Sequence, residues 1–123
     1  MKTEEKLQIA VCKYLKLQYP DVIFTAESSG LKLTIGQAVI AKQLRSSKGL
    51  PDLMIFKPNK YFHGLFIELK KEGTRLKNGA MPNTIHIKEQ REMLLKLSKL
   101  GYCAIFACGF YEAKNIIDSY LKL

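Results

Sequence analysis

GLPDLMIF (Gly49–Phe56) and GLFIELK (Gly64–Lys70) are the two stretches that decide the fold. Both are apolar and rich in residues that favour β-strands, and the connector between them carries Pro58 and Asn59, which favour a turn. The two stretches therefore predict an antiparallel hairpin.

The register of this hairpin brings acidic side chains together. A turn centred near Lys60 pairs Asp52 with Glu68, which places two carboxylates about 5 Å apart at Cβ, where like charges repel each other. Because side chains alternate along a strand, Asp52, Glu68 and Lys70 share one face of the hairpin. The opposite face is predicted to be apolar and to hold Leu53, Ile55, Leu65, Ile67 and Leu69.

Paired carboxylates of this kind favour a hard divalent cation. Mg²⁺ is held through one or two carboxylates and keeps water molecules that can contact a substrate phosphate. Asp52 and Glu68 would then support metal-assisted phosphodiester hydrolysis, with Lys70 orienting the attacking water or stabilising negative charge. The structural alternative is an ion pair of Lys70 with one of the two acids on a solvated sheet face.

At these residues the sequence resembles the PD-(D/E)XK nuclease superfamily, with Pro51-Asp52 and Glu68-Leu69-Lys70 as the two parts of its signature. A wider set of residues is similar to the VRR-NUC branch, in the short stand-alone form typical of phages. That set covers nearly the whole chain and comprises Glu4, Gln8, Gly49–Asp52, Gly64–Lys70, Gln90 and Gly101-Tyr102.

The resemblance implies an α/β fold with a restriction-endonuclease-like core, in which helices flank a mixed central β-sheet. It also implies Mg²⁺ or Mn²⁺ as the cofactor, Asp52 and Glu68 as metal ligands, and Lys70 as the catalytic lysine. The carbonyl of Leu69 is expected to face the same metal. The implied substrate is DNA, branched as a four-way junction or a flap, and the implied assembly is a homodimer.

Two further site residues are implied by the resemblance. Glu4 matches an acidic residue of the family's first helix and becomes a candidate third metal ligand, with Gln8 beside it. Gln90 matches a glutamine that borders the active site and helps to hold the catalytic strand. The alternatives are that Glu4 complements the helix dipole and that Gln90 is a partly exposed residue near the start of its helix.

Composition limits the other classes of function. The 123 residues form one domain (1–123) that leaves no room for a separate recognition module. A formal net charge of +9 favours a polyanionic partner, nucleic acid before membrane, because there is neither a basic amphipathic helix nor a long apolar segment. Simple solubility is the alternative explanation of the charge. No pattern indicates an organic cofactor.

Cysteine and histidine usage points away from zinc and disulfides. The three cysteines, Cys12, Cys103 and Cys108, lie in apolar surroundings without CxxC spacing, which suits core positions in a reducing compartment. His63 and His86 are far apart in sequence and give little support for a zinc site. The chain starts directly with a helix pattern, so we expect an intracellular protein, in the bacterial cytoplasm if a phage encodes it.

The periodicity predicts the order helix, strand, helix, hairpin, helix, strand, helix. The second helix is expected to begin at Thr34 and run to about Arg45, with Ile35, Ala38, Val39 and Ala41 mostly inward. Residues 71–83 are predicted to be a mobile basic loop. The candidate nucleic-acid contacts are Ser29, Lys42, Arg45, Lys48, Lys71, Arg75 and Lys77, each of which is alternatively an ordinary solvated side chain.

These observations predict a metal-dependent, structure-selective DNA endonuclease with Asp52, Glu68, Lys70 and Gln90 at its active site. One alternative is a basic nucleic-acid-binding module that retains the nuclease fold without catalysis. Another is a structural protein whose acidic hairpin is a surface ion pair.

Overall fold

The computed structural model describes residues 3–27, 33–47 and 49–123. The order of helices and strands predicted from the sequence is confirmed. The elements are α1 (Thr3–Gln18), β1 (Phe24–Ala26), α2 (Ile35–Gln43), β2 (Leu53–Ile55), β3 (Leu65–Lys70), α3 (Ile85–Lys99), β4 (Cys103–Cys108) and α4 (Phe110–Leu121).

The described strands form one mixed sheet in the order β1-β2-β3-β4. The pairs β1–β2 and β2–β3 are antiparallel, whereas β3 and β4 are parallel. Leu53 lies opposite Ile67, which is the register expected of a hairpin centred near residue 60. The predicted hairpin and its register are therefore confirmed.

One face of the sheet carries the main hydrophobic core. The five apolar side chains predicted for this face are buried against Val11 and Leu15 of α1 and against Ala113 and Ile117 of α4. These helix residues recur at intervals of four, which places each pair on one side of its helix. The helices α1 and α4 therefore cover β2 and β3 from the same side.

The other face of the sheet packs against α3. Phe66 stacks on Tyr102 with ring centroids 4.4 Å apart, and Phe66, Ala104 and Leu94 form a second buried cluster. The helix α3 begins after Thr84, whose hydroxyl accepts a hydrogen bond from the N–H of Ile87 and so satisfies one unpaired helix donor. This packing lays one side of α3 along β3 and β4.

The prediction that α2 buries one face is wrong. Its start is as predicted, because Thr34 and Gln37 form a reciprocal capping box. None of its residues is buried, however, and Ile35 is 88% exposed and Val39 53% exposed. Apolar side chains occur on all sides of α2, so the sequence periodicity defined no single inward face.

Candidate active site

The ends of β2 and β3 place three charged side chains in one cleft. Asp52 immediately precedes β2, while Glu68 and Lys70 lie on β3, an inner strand that is buried along its whole length. All three line a cleft of about 590 Å³ between α1, α3 and the segment that follows α2. The predicted convergence of Asp52, Glu68 and Lys70 is what the geometry shows.

Asp52 is held by main-chain and side-chain contacts. Its Oδ2 accepts a hydrogen bond from the N–H of Leu69 at 2.8 Å. Its carbonyl oxygen accepts bonds from the amide of Gln8 at 3.0 Å and from the N–H of Glu27 at 2.8 Å. The carboxylate is therefore fixed from β3 while its backbone is fixed from α1 and from the end of β1.

Leu69 directs its main-chain groups toward Asp52. The N–H and C=O of one strand residue point to the same side of the strand, and the N–H of Leu69 contacts the Asp52 carboxylate. The Leu69 carbonyl therefore points to the same side as this carboxylate, as the predicted metal-facing role requires.

Glu68 is the most unusual titratable group of the cleft. The residue is only 5% exposed, and one of its carboxylate oxygens accepts a hydrogen bond from the Gln90 amide at 3.0 Å. Burial, together with the neighbouring Asp52 carboxylate, raises the pKa of Glu68 to about 9, and the Lys70 ammonium opposes this shift. A buried carboxyl that cannot easily ionise needs a compensating cation to become an anion.

Lys70 is buried as well, at 8% exposure, yet it borders the cleft. Among the residues that the structure describes, its ammonium makes no ion pair within 4.0 Å. A buried lysine without an ion-pair partner is available to a ligand that brings negative charge into the cleft.

The donor atoms fit a hard divalent cation held by a small number of protein ligands. Asp52 and Glu68 supply carboxylate oxygens to the cleft, and the Leu69 carbonyl points to the side of the Asp52 carboxylate. Mg²⁺ accepts such a partial set because it keeps several waters. Glu4 lies on the wall of the same cleft and its charge reaches Glu68. Within the described ranges, however, no three His, Cys, Asp or Glu side chains are close enough to hold a metal together.

Six of the seven predicted nucleic-acid contacts separate into three groups. Arg45 lines the cleft, with its guanidinium 3.9 Å from Glu27. The exposed Lys42, Lys71 and Lys77 lie outside the cleft lining. Ser29 and Lys48 fall outside the described residues.

Arg75 has a structural partner. Its guanidinium pairs with the Glu112 carboxylate of α4 and donates to the Gly79 carbonyl at 3.1 Å. The loop expected to be mobile is thereby joined to α4 and also contains a turn in which the N–H of Leu76 donates to the carbonyl of Ala80 at 2.8 Å. The guanidinium of Arg75 is therefore occupied in holding the loop against α4 and would have to give up these contacts to bind a ligand.

Several cleft residues of α3 were absent from the sequence prediction. They precede and follow Gln90 along the side of α3 that faces the cleft and comprise His86, Glu89, Glu92, Met93 and Lys96. Gln90 itself, placed on this side by its contact with Glu68, marks which α3 residues face the cleft. The spacing from Gln90 was the available signal, because His86 lies four residues before it and Met93 three residues after it.

The sheet order and the cluster of two acids and a lysine define an α/β domain with the PD-(D/E)XK nuclease fold. A solved structure described as "VRR_NUC domain protein" has a TM-score of 0.74 and 28% sequence identity to this chain, over all of this chain and 91% of that one. The resemblance to the VRR-NUC branch and its fold is therefore confirmed. No family model and no curated protein matches the sequence.

No helix in the described ranges is long and apolar enough to span a membrane.

Proposed function

We propose that this protein is a Mg²⁺- or Mn²⁺-dependent DNA endonuclease that hydrolyses phosphodiester bonds. The observation that carries the proposal is the meeting of Asp52, Glu68 and Lys70 in one cleft, with Glu68 buried and held by Gln90. A structural ion pair accounts poorly for this cluster, because Lys70 makes no ion pair with either acid among the described residues.

Each residue has a distinct part in this proposal. Asp52, Glu68 and the Leu69 carbonyl would hold the cation, which when bound lowers the pKa of a water molecule and neutralises charge on the phosphate. Lys70 orients the attacking water and stabilises the charge that develops on the phosphoryl oxygens. Attack on phosphorus breaks one P–O bond, so that one product carries a phosphate end and the other a hydroxyl end. Gln90 keeps the Glu68 carboxylate in place.

The nature of the substrate rests on charge and on resemblance. The net charge of +9 suits a polyanion, and Arg45 and Lys96 lie on the cleft wall where a phosphate backbone would pass. The resemblance to the VRR-NUC branch supports branched DNA, such as a four-way junction or a flap, and a homodimer that acts on two strands in an intracellular setting.

The test compares cleavage of matched linear, flapped and four-way-junction DNA by the native chain and by Lys70→Ala, with Mg²⁺ or Mn²⁺. Lys60→Ala is the matched control, since Lys60 is an exposed lysine of the hairpin connector that lies outside the cleft lining. We expect cleavage to require metal, to stop in EDTA and to fall at least about 100-fold in Lys70→Ala alone.

Binding of the same DNAs distinguishes the alternatives. Salt-sensitive binding without cleavage by any of the proteins would replace the proposal with a non-catalytic binding module. The ranking of the three substrates would decide between a junction-specific, a flap-specific and a general nuclease.

A further inference from the structure

The helix α3 forms one wall of the cleft, and its contacts fix how it lies along β3. The amide of Gln90 donates to the Glu68 carboxylate, and Leu94, one turn later, packs in one buried cluster with Phe66. Residue numbers therefore rise along α3 as they fall along β3, so the two elements run antiparallel. Four helical residues rise about 6 Å and two strand residues about 6.6 Å, which keeps the two elements in step.

The same register places His86 level with Lys70. His86 lies one turn before Gln90, a step of about 6 Å toward the end of β3 that holds Lys70. A second contact supports this level, because Ile87 packs with Cys108, and Cys108 is the β4 partner of Lys70. Both His86 and Lys70 line the cleft. An imidazole and an ammonium group therefore share one end of the cleft.

Hydrolysis of a phosphodiester needs a group that accepts the proton of the attacking water. A lysine ammonium has donors only, so Lys70 can orient this water but cannot take its proton. Asp52 and Glu68 are the proposed metal ligands, and Oδ2 of Asp52 already accepts a hydrogen bond from the N–H of Leu69. Among the described residues that line the cleft, His86 is the proton acceptor level with Lys70.

The other acids of the cleft lie farther from this position. Glu89 and Glu92 are exposed residues about 4.5 and 9 Å beyond His86 along the axis of α3, in the direction away from the end of β3 that holds Lys70. Glu4 lies on the α1 wall, where it is the candidate third metal ligand. Histidine is also the most frequent proton acceptor in enzymes, because its charge changes near neutral pH. Position and chemistry therefore both favour His86.

We propose that His86 is the catalytic base of the hydrolysis, an inference that rests on the proposed function. A ring nitrogen of the neutral imidazole takes one proton from the water that Lys70 orients, while the water oxygen forms a bond to phosphorus. The P–O bond on the opposite side breaks, its electron pair stays with the leaving oxygen, and this oxygen takes a proton from solvent. His86 is exposed, so the imidazolium returns its proton to solvent. One water is consumed for each bond cleaved.

The test measures single-turnover cleavage with Mg²⁺ by the native chain, His86→Ala, Glu89→Gln and Lys88→Ala. The DNA is whichever of the linear, flapped and four-way-junction substrates the native chain cleaves fastest. Lys88 is the matched control, because it is exposed on the same helix outside the cleft lining. At saturating protein, we expect His86→Ala to cleave about 100-fold more slowly and Lys88→Ala to cleave at the native rate. A greater loss in Glu89→Gln than in His86→Ala would make Glu89 the base and overturn the inference.

Imidazole added to the buffer separates a base from a structural role. Because His86 is exposed, its removal leaves an opening that free imidazole can enter. We expect imidazole to raise cleavage by His86→Ala at least about 10-fold, increasing with its concentration, and to leave Lys70→Ala unchanged. Free imidazole would not replace a histidine that only supports the fold. Cleavage by His86→Ala that does not respond to imidazole would overturn the inference.

Two measurements without catalysis test the other roles that a histidine could have in this cleft. The affinity for DNA in EDTA and the rise in melting temperature with Mg²⁺ are expected to be the same for His86→Ala and for the native chain. A loss of affinity that accounts for the whole loss of cleavage would make His86 a phosphate contact. A missing response to Mg²⁺ would make it a metal ligand, and either result would overturn the inference.

The outcomes also separate this inference from the proposed function. Metal-dependent cleavage that His86→Ala retains in full would overturn the role of His86 and leave the nuclease standing. Absence of cleavage by the native chain on all three DNAs would overturn the nuclease, and the role of His86 with it.

Discussion

At the scale of single residues, Glu68 combines a proposed metal-binding role with a cost to stability. Its carboxyl is buried beside Asp52, and ionisation there is disfavoured by both burial and the neighbouring charge. We expect Glu68→Gln to raise the melting temperature in EDTA by a few degrees at pH 8, because a neutral amide has no ionisation cost.

The same variant should lose its response to metal. A cation that binds only the folded state raises the melting temperature of the native chain, and removal of one carboxylate ligand should abolish most of that rise. Thermal melts of native and Glu68→Gln protein with EDTA, Mg²⁺ and Mn²⁺ measure both effects. An equal rise in the two proteins would place the cation elsewhere.

Gln90 is predicted to act through Glu68. Its amide donates to the buried carboxylate at 3.0 Å, while its own Oε1 is buried with no hydrogen-bond partner among the described residues. We expect Gln90→Leu to raise the Mg²⁺ concentration for half-maximal cleavage by about 10- to 100-fold, as for other residues that orient metal ligands. Lys88→Ala, an exposed change on the same helix, should leave that concentration unchanged.

The meeting of Asp52, Glu68 and Lys70 was predictable because its signal is local in sequence. Pro51-Asp52 and Glu68-Leu69-Lys70 lie on a hairpin whose register follows from its length, so their convergence could be derived before the structure was known. The Gln8 contact with the Asp52 carbonyl could not be derived, because it joins residues 44 positions apart and depends on how α1 packs.

At the scale of secondary-structure elements, hydrogen bonds to the Asp118 carboxylate join α1 to α4. The hydroxyls of Tyr14 and Tyr19 donate to Asp118 Oδ1 at 2.5 and 2.6 Å, and Lys114 donates to its other oxygen at 2.9 Å. The two tyrosine hydrogen bonds are the main reason that the pKa of Asp118 falls to about 2. The ionised carboxylate therefore stabilises the packing of α1 on α4.

The resulting pH dependence has a definite sign. An unfolded aspartate titrates near pH 4, about two pH units above the folded Asp118, so its contribution is complete above about pH 4 and is lost as pH falls through about 2. We expect Asp118→Asn to lower the free energy of unfolding by about 1 to 2 kcal/mol at pH 7 and by much less near pH 2.

Urea denaturation of native and Asp118→Asn protein at several pH values measures this difference. Asp21→Asn is the control, because Asp21 is exposed. A loss of stability that is the same at pH 7 and pH 2 would contradict an ionic origin.

The elements differed in how well the sequence predicted their surroundings. The buried residues of α4, Ala113, Ile117 and Tyr120, recur every three or four positions, a spacing that indicates one packing face. The helix α2 has apolar side chains on all sides, and its burial depends on which element lies nearby, a property that periodicity does not contain.

At the scale of the whole molecule, the positive charge is distributed unevenly with respect to the cleft. Of the seven predicted nucleic-acid contacts, only Arg45 lines the cleft in the described ranges, while Lys96 lines it without having been predicted. Net charge predicts a polyanionic partner, but the positions of individual cations depend on the direction of each side chain in the fold.

Lys96 and Lys99 provide a matched pair for testing where DNA lies. Both are exposed residues of the last turn of α3, and Lys96 alone lines the cleft. We expect Lys96→Ala to weaken DNA binding and to reduce the slope of log affinity against log salt by about one unit, because one phosphate contact is lost. Lys99→Ala should leave the slope unchanged, and equal effects of both changes would indicate a diffuse contact instead.

The joining of α1 to α4 has a consequence for the order of events during synthesis. The backbone of Asp52 is fastened by Gln8 of α1, and α1 packs in the same core as α4. In a nascent chain on the ribosome that still lacks α4, Asp52 and Glu68 should therefore not yet be held in their positions in the cleft. Acquisition of the proposed cleavage activity is expected to be a late event of translation, which would spare nearby nucleic acid from partly made molecules.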